Sequence, residues 1–130
     1  MMEAGVVIGS DGNVVFWHAP DGRHGGALPD DRRLWDVLWD SRHELGGFGH
    51  SHPGSGIPQP SHTDLTTFAA IEAALGCRLV WWIVSSDRMS TFCWMGPGKL
   101  DYGGVAEHPN HDPPWVLKLR ELSEISTRSK

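Results

Sequence analysis

Residues 53–60 read PGSGIPQP, a connector of prolines and glycines that can neither extend a strand nor begin a helix. The chain must turn there, so the segments on either side are set against each other. Upstream stands Gly49-His50-Ser51-His52. On an extended strand residues i and i+2 share a face, so both imidazoles aim the same way. Downstream stands Ser61-His62-Thr63-Asp64, a helix start of the capping-box kind, with Ser61 placed to accept from a backbone N–H and Asp64 to reach back. The expected unit is therefore strand, connector, capped helix, and it returns the Asp64 carboxylate towards His50 and His52. Two imidazoles and one carboxylate occupy three corners of a zinc tetrahedron and leave the fourth for water, the usual arrangement of a catalytic zinc site.

Each piece alone has an ordinary explanation. Histidine pairs of this spacing arise by chance at surfaces and turns, and Ser-x-x-Asp is a common helix cap. The order in which they follow one another is what makes them specific. His50-Ser51-His52-Pro53, the connector and Pro60-Ser61-His62-Thr63-Asp64 together resemble the JAMM motif of the JAB/MPN metalloprotease family, in its compact prokaryotic form. The resemblance covers roughly residues 3–95. It implies one zinc ion held by His50, His52 and Asp64, with Ser61 helping to stabilise an oxyanion and an upstream glutamate as general base. The family glutamate stands three residues before a glycine at the first strand. Here Met2 holds that position before Gly5, so Glu3, one residue along, is the expected base, with Glu44 the alternative. The connector is one residue longer than in the family form, which a Pro/Gly turn absorbs.

The implied activity is hydrolysis of a peptide or isopeptide bond, at the C-terminal tail of a ubiquitin-like or sulfur-carrier protein. Helix and strand follow Asp64 at once, leaving no room for the insertion with which family deubiquitinases grip ubiquitin chains. A compact bacterial, archaeal or phage enzyme is the expectation. Three rivals stand beside it. A non-catalytic MPN-like zinc-binding scaffold would keep the ligands and lack turnover, and the displaced glutamate speaks for it. A peptidoglycan endopeptidase would be expected with a fused cell-wall domain. A zinc deaminase would need a Pro-Cys-x-x-Cys segment, which the sequence lacks.

Composition narrows the classes further. With 130 residues the chain suits one domain that buries about two thirds of its surface. A net charge of −5 and the absence of a basic stripe argue against nucleic acid as a partner. The longest apolar run, residues 79–84, is far too short to span a bilayer, and no signal peptide is visible, so a cytoplasmic protein is expected. Cys77 and Cys93 lie in apolar surroundings outside any Cys-x-x-Cys pair and read as reduced thiols.

Along the chain, residues 5–9 and 13–18 read as a β-hairpin about the Ser10–Asn13 turn. Residues 18–29, rich in Gly, Pro and His, read as a loop. Leu34, Trp35, Leu38 and Trp39 fall at helical spacing within residues 30–44. A histidine-bearing strand follows over residues 46–52, then a helix from Ser61 to the Gly76 stop. Residues 77–84 are β-branched and aromatic and predict a buried strand, in which Trp81 and Trp82 face opposite ways. Residues 89–95 return beside it, 96–112 are loop, and 115–125 predict a closing helix. His18, His24, His108 and His111 fall in loops, and His62 on an exposed first helical turn. The sum is an α/β sandwich, a mixed β-sheet flanked by helices, in agreement with the cytidine-deaminase-like/MPN fold that the resemblance implies. It forms a single domain over residues 1–125 with a polar tail, 126–130. Family members usually open with a helix before the first strand, and this chain starts almost at the strand. The closing helix, a partner subunit or a homodimer would have to cover the surface left bare.

Overall fold

The computed structural model describes residues 2–23, 28–105 and 112–128. His24, His108, His111 and the last two residues of the predicted tail lie outside them. Among the described residues six strands and three helices follow in the order β1 (Gly5–Gly9), β2 (Val14–His18), α1 (Arg32–Asp40), β3 (Leu45–Ser51), α2 (His62–Leu75), β4 (Val80–Val84), β5 (Met89–Trp94), β6 (Tyr102–Gly104) and α3 (Trp115–Arg128). They build an α/β architecture on one open sheet of order β2-β1-β3-β4-β5-β6. Among these described strands only β3 and β4 run parallel, and the other pairings are antiparallel. A parallel pair needs a long crossover, and α2 supplies it.

Both faces of the sheet are covered. On one, α1 and α2 pack Leu34, Leu38, Phe68 and Ile71 over Val7, Phe48 and Trp81. On the other, α3 sets Trp115, Val116 and Leu119 against Ala4, Val6, Ile8 and Val84. The closing helix therefore covers the outer face of β1, and reciprocal Met2–Ser123 backbone and side-chain hydrogen bonds tie it to the N-terminus. Trp81 is core on the first face, and Trp82 meets Trp115 edge-on across the second, at 5.4 Å between ring centres. Trp82 packs closely over residue 47 because that residue is glycine: a Cβ there would stand 1.9 Å from the Val80 carbonyl oxygen and 2.7 Å from the Trp82 ring.

Several boundaries differ from the sequence reading. Helix α1 is shorter than residues 30–44, because the Asp31 side chain accepts from the Leu34 N–H and starts the helix at Arg32, and Ser41 ends it. Strand β4 begins only at Val80. The stretch read as loop after residue 95 contains β6, paired with β5. Helix α3 continues three residues past the predicted end, to Arg128. His18 is strand, not loop, and fully buried. Cys77 and Cys93 are free thiols, half-buried. Among the described residues no helix is long and apolar enough to cross a membrane.

Candidate metal centre

The site forms where β3 ends and α2 begins, at the C-terminal edge of the parallel pair. In open α/β sheets ligands collect at this edge. His50 lies on β3 two residues beyond Phe48 and shares its inward face; Phe68 of α2 meets the His50 ring edge-on. His52 has just left the strand, but its N–H still donates to the Val84 carbonyl at 2.9 Å, so it keeps the alternation and turns to the same side.

The connector that follows is pinned rather than loose. The Ser86 N–H donates to the Gly54 carbonyl, the Gly56 N–H to Asp87 Oδ1 and the Ser85 hydroxyl to the Gly56 carbonyl. Gly54 and Gly56 adopt φ of 105° and 96°, which other residues rarely take. Ser61 then caps α2 with both halves of the box. Its Oγ accepts from the Asp64 N–H at 3.0 Å, and Asp64 Oδ2 accepts from the Ser61 N–H at 2.9 Å. The cap fixes the Asp64 carboxylate on the side of the helix that faces β3.

Three side chains converge as a result. His50 Nε2 and His52 Nε2 are 3.0 Å apart, and Asp64 reaches both, with Oδ2 3.0 Å from His52 Nε2 and Oδ1 3.4 Å from His50 Nε2. Bonds of 2.0–2.1 Å in a tetrahedral zinc site place ligand atoms about 3.3 Å from one another. The distance between the two Nε2 atoms, and that from each Nε2 to its own carboxylate oxygen of Asp64, lie near that spacing. The electrostatics agree. Burial alone would raise the Asp64 carboxyl, but hydrogen bonds from His50 and His52 outweigh it and hold the group well below the usual carboxylate range. The Asp64 hydrogen bond raises the His52 imidazole above its ordinary value against the opposing effect of burial, with smaller help from the charges of Asp64 and Glu3.

Glu3 joins from the neighbouring strand. The antiparallel register sets Gly5 opposite His50. Continued two residues, it sets Glu3 opposite His52, and the Ser51 N–H donating to the Ala4 carbonyl, with the Ala4 N–H donating to Ser51 Oγ, carries the pairing that far. Glu3, His50 and His52 each offer a ligand atom within 4.8 Å of the others and form a group that could hold a metal ion. Of the predicted site residues the structure thus gathers Glu3, His50, His52, Ser61 and Asp64. Glu44 is not among them. It lies exposed in the turn before Leu45, at the far end of β3, about 20 Å of strand from His50. His62 opens α2 in an exposed position, as expected.

A cleft of about 420 Å³ opens beside the cluster, with Glu3, His50, Ser61 and Asp64 on its wall. His18 also lines it, a residue that the sequence reading passed over. Its Nε2–H donates to the Pro29 carbonyl at 2.7 Å, and burial lowers its pKa below the ordinary value. The alternation Phe16, His18 on a strand that pairs with β1 was the available signal, since it puts His18 on the face of Phe16. The donor set of two imidazoles and two carboxylates suits zinc and other borderline divalent ions. Compared with models of known protein families and with curated proteins, the chain gives no significant match.

Proposed function

We propose that the protein is a zinc-dependent metallopeptidase of the JAMM type, built on a JAB/MPN sandwich, which hydrolyses a peptide or isopeptide bond at the C-terminal tail of a ubiquitin-like or sulfur-carrier protein. The observation that carries this reading is the convergence of both histidine Nε2 atoms with the Asp64 carboxylate at 3.0–3.4 Å on the wall of a cleft, with the Glu3 carboxylate beside them. In it, His50, His52 and Asp64 hold the ion. Zinc in such a site acidifies a water to a pKa of roughly 7 and polarises a carbonyl. Glu3 accepts a proton from the attacking water at a carboxylate oxygen, while the water oxygen bonds to the carbonyl carbon. The same carboxylate returns that proton to the amine nitrogen as the C–N bond breaks. Ser61 donates its hydroxyl hydrogen to the oxygen that gains charge; accepting from the Asp64 N–H does not prevent this, because a hydroxyl both accepts and donates.

Elemental analysis of the native protein, His52→Ala and Glu3→Gln, run beside cleavage of a ubiquitin-like fusion, tests the assignment. The expected result is one zinc per chain in the native protein and in Glu3→Gln, none in His52→Ala, and cleavage by the native protein alone. Zinc retained with cleavage untouched in Glu3→Gln removes Glu3 as the base. A native protein that takes up no zinc on reconstitution refutes the metallopeptidase and leaves the scaffold.

A further inference from the structure

The cleft continues inward past His50, and nothing in the proposed reaction uses its inner part. Along α2 the lining passes from Asp64 at the mouth through Thr67 and Phe68 to Ile71, one turn at a time on a single helix face. Phe48 and Trp81 of the sheet form the floor, and Leu28, Pro29 and Leu34 the opposite wall. His18 holds that wall in place through its hydrogen bond to the Pro29 carbonyl. The charged groups stay outside: Glu3 and Asp64 belong to the metal cluster, and Asp30 is exposed at the rim, accepting from Trp35 Nε1–H at 2.7 Å.

This separation of polar mouth from apolar interior decides what can enter. A volume of about 420 Å³ lies within the range of sites that bury small organic ligands. A charged side chain pushed inward would lose its water and meet mainly Leu28, Leu34, Ile71 and the rings of Phe48 and Trp81. The polar groups there are neutral ones, the His18 ring, whose Nε2–H is already given to the Pro29 carbonyl, and the Thr67 hydroxyl. An aliphatic or aromatic side chain would lose only its own apolar contact with water. A glycine would leave the space unfilled.

We propose that the inner cleft is a subsite that receives an apolar side chain of leucine or phenylalanine size from a residue flanking the scissile bond. Its place in a peptidase rests on the metal-site reading given above; the binding of such a side chain does not.

Methyl NMR of the full chain, with and without zinc, titrated with the N-acetyl amides of glycine, alanine, leucine and phenylalanine, separates the two. The leucine and phenylalanine amides are expected to shift the methyl signals of Leu28, Leu34 and Ile71, and the glycine amide to leave them unmoved at the same concentration. Thr67→Trp, at an exposed position on the rim, is expected to abolish those shifts while zinc content and melting temperature stay native. Equal shifts from glycine and leucine, or leucine shifts that survive Thr67→Trp, overturn the subsite. In parallel, peptides varied in turn on each side of the scissile bond are expected to give kcat/KM at least about tenfold higher for leucine or phenylalanine than for glycine at one of the two positions. A flat profile at both positions overturns the link to specificity. Cleavage of no peptide, with the methyl shifts intact, refutes the peptidase and leaves the pocket standing.

Discussion

Helix α2 carries two carboxylates eight residues apart, Asp64 in its first turn and Glu72 in its last, and they meet opposite surroundings. Glu72 is 3% exposed and ringed by donors. Its Oε2 accepts from the Leu79 N–H at 2.9 Å and Trp81 Nε1–H at 3.0 Å, and its Oε1 from Arg78 at 2.9 Å and the Tyr102 hydroxyl. Every lone pair of that carboxylate has a hydrogen to accept, and the group joins α2 to β4 and β6. Asp64 faces two imidazole nitrogens only 3.0 Å from each other, between which at most one proton fits. The first arrangement is complete without a ligand. In the second, two imidazoles and a carboxylate converge on one place, which on the reading proposed above a cation fills. A buried acid is therefore informative only together with what surrounds it: donors mark a structural joint, converging acceptors a binding site.

The contrast predicts opposite mutant phenotypes. Glu72→Ala leaves the Leu79 N–H, the Trp81 indole N–H and the Tyr102 hydroxyl without their acceptor, and a loss of about 3–5 kcal/mol is expected in urea denaturation. The protein that remains folded should bind zinc with native affinity. His52→Ala should do the reverse, with zinc affinity down by more than about 100-fold in competition with a chromophoric chelator and the metal-free melting temperature little changed. If Glu72→Ala abolished zinc binding at native stability, the two acids would have exchanged roles and the comparison would fail.

Proton competition sharpens it at the next level. Metal binding requires His52 neutral, and its raised pKa means that protons begin to compete above pH 6.5. Zinc affinity is expected to fall by about tenfold per pH unit once the pH is below that pKa, for the one proton displaced. Asp64, held low, stays ionised throughout. For the metal-free protein the sign is the opposite. A histidine whose folded pKa is raised contributes stability that is complete below its unfolded value near 6.5 and lost as the pH rises through the folded one. The stability difference between native protein and His52→Gln should therefore shrink with rising pH without zinc and grow with it when zinc is present. Parallel pH profiles in the two conditions would show that His52 does not meet the metal. Glu72, which has no part in the cluster, should give parallel profiles.

These two sites were unequally legible in the sequence. The His50-x-His52 spacing, the Pro/Gly connector and the Ser61 cap are local patterns, and local geometry was enough to bring them together. The Glu72 joint was not read. In the run Leu65 to Leu75 an acid looks like the exposed position of an amphipathic helix, and its burial depends on Trp81 and Tyr102, which arrive from β4 and β6. Strand β6 itself, Tyr-Gly-Gly, has no alternation to recognise and exists by pairing with β5. Glu3 was legible only through the family resemblance; the register of β1 on β3, a non-local property, gives it a physical basis. His18 could have been found by alternation, whereas its partner Pro29 could not, since the sequence between them follows no period.

Ser61 belongs to both classes at once, which makes the smallest prediction the most discriminating. As an N-cap it contributes about 1 kcal/mol, and Ser61→Ala should lose that much in denaturation. The same substitution removes the hydroxyl hydrogen assigned to the oxyanion, so lost turnover in Ser61→Ala could follow from a displaced Asp64 as readily as from a missing donor. Ser61→Gly separates the causes. Glycine caps a helix within a few tenths of a kcal/mol of serine and leaves the backbone N–H that Asp64 Oδ2 accepts. Stability and zinc affinity should then stay near native while kcat falls and KM holds, because a donor to the oxyanion acts only on the transition state. If Ser61→Gly cleaves as the native protein does while Ser61→Ala does not, Ser61 acts through the position of Asp64 alone and stands with Glu72 as a joint of the fold.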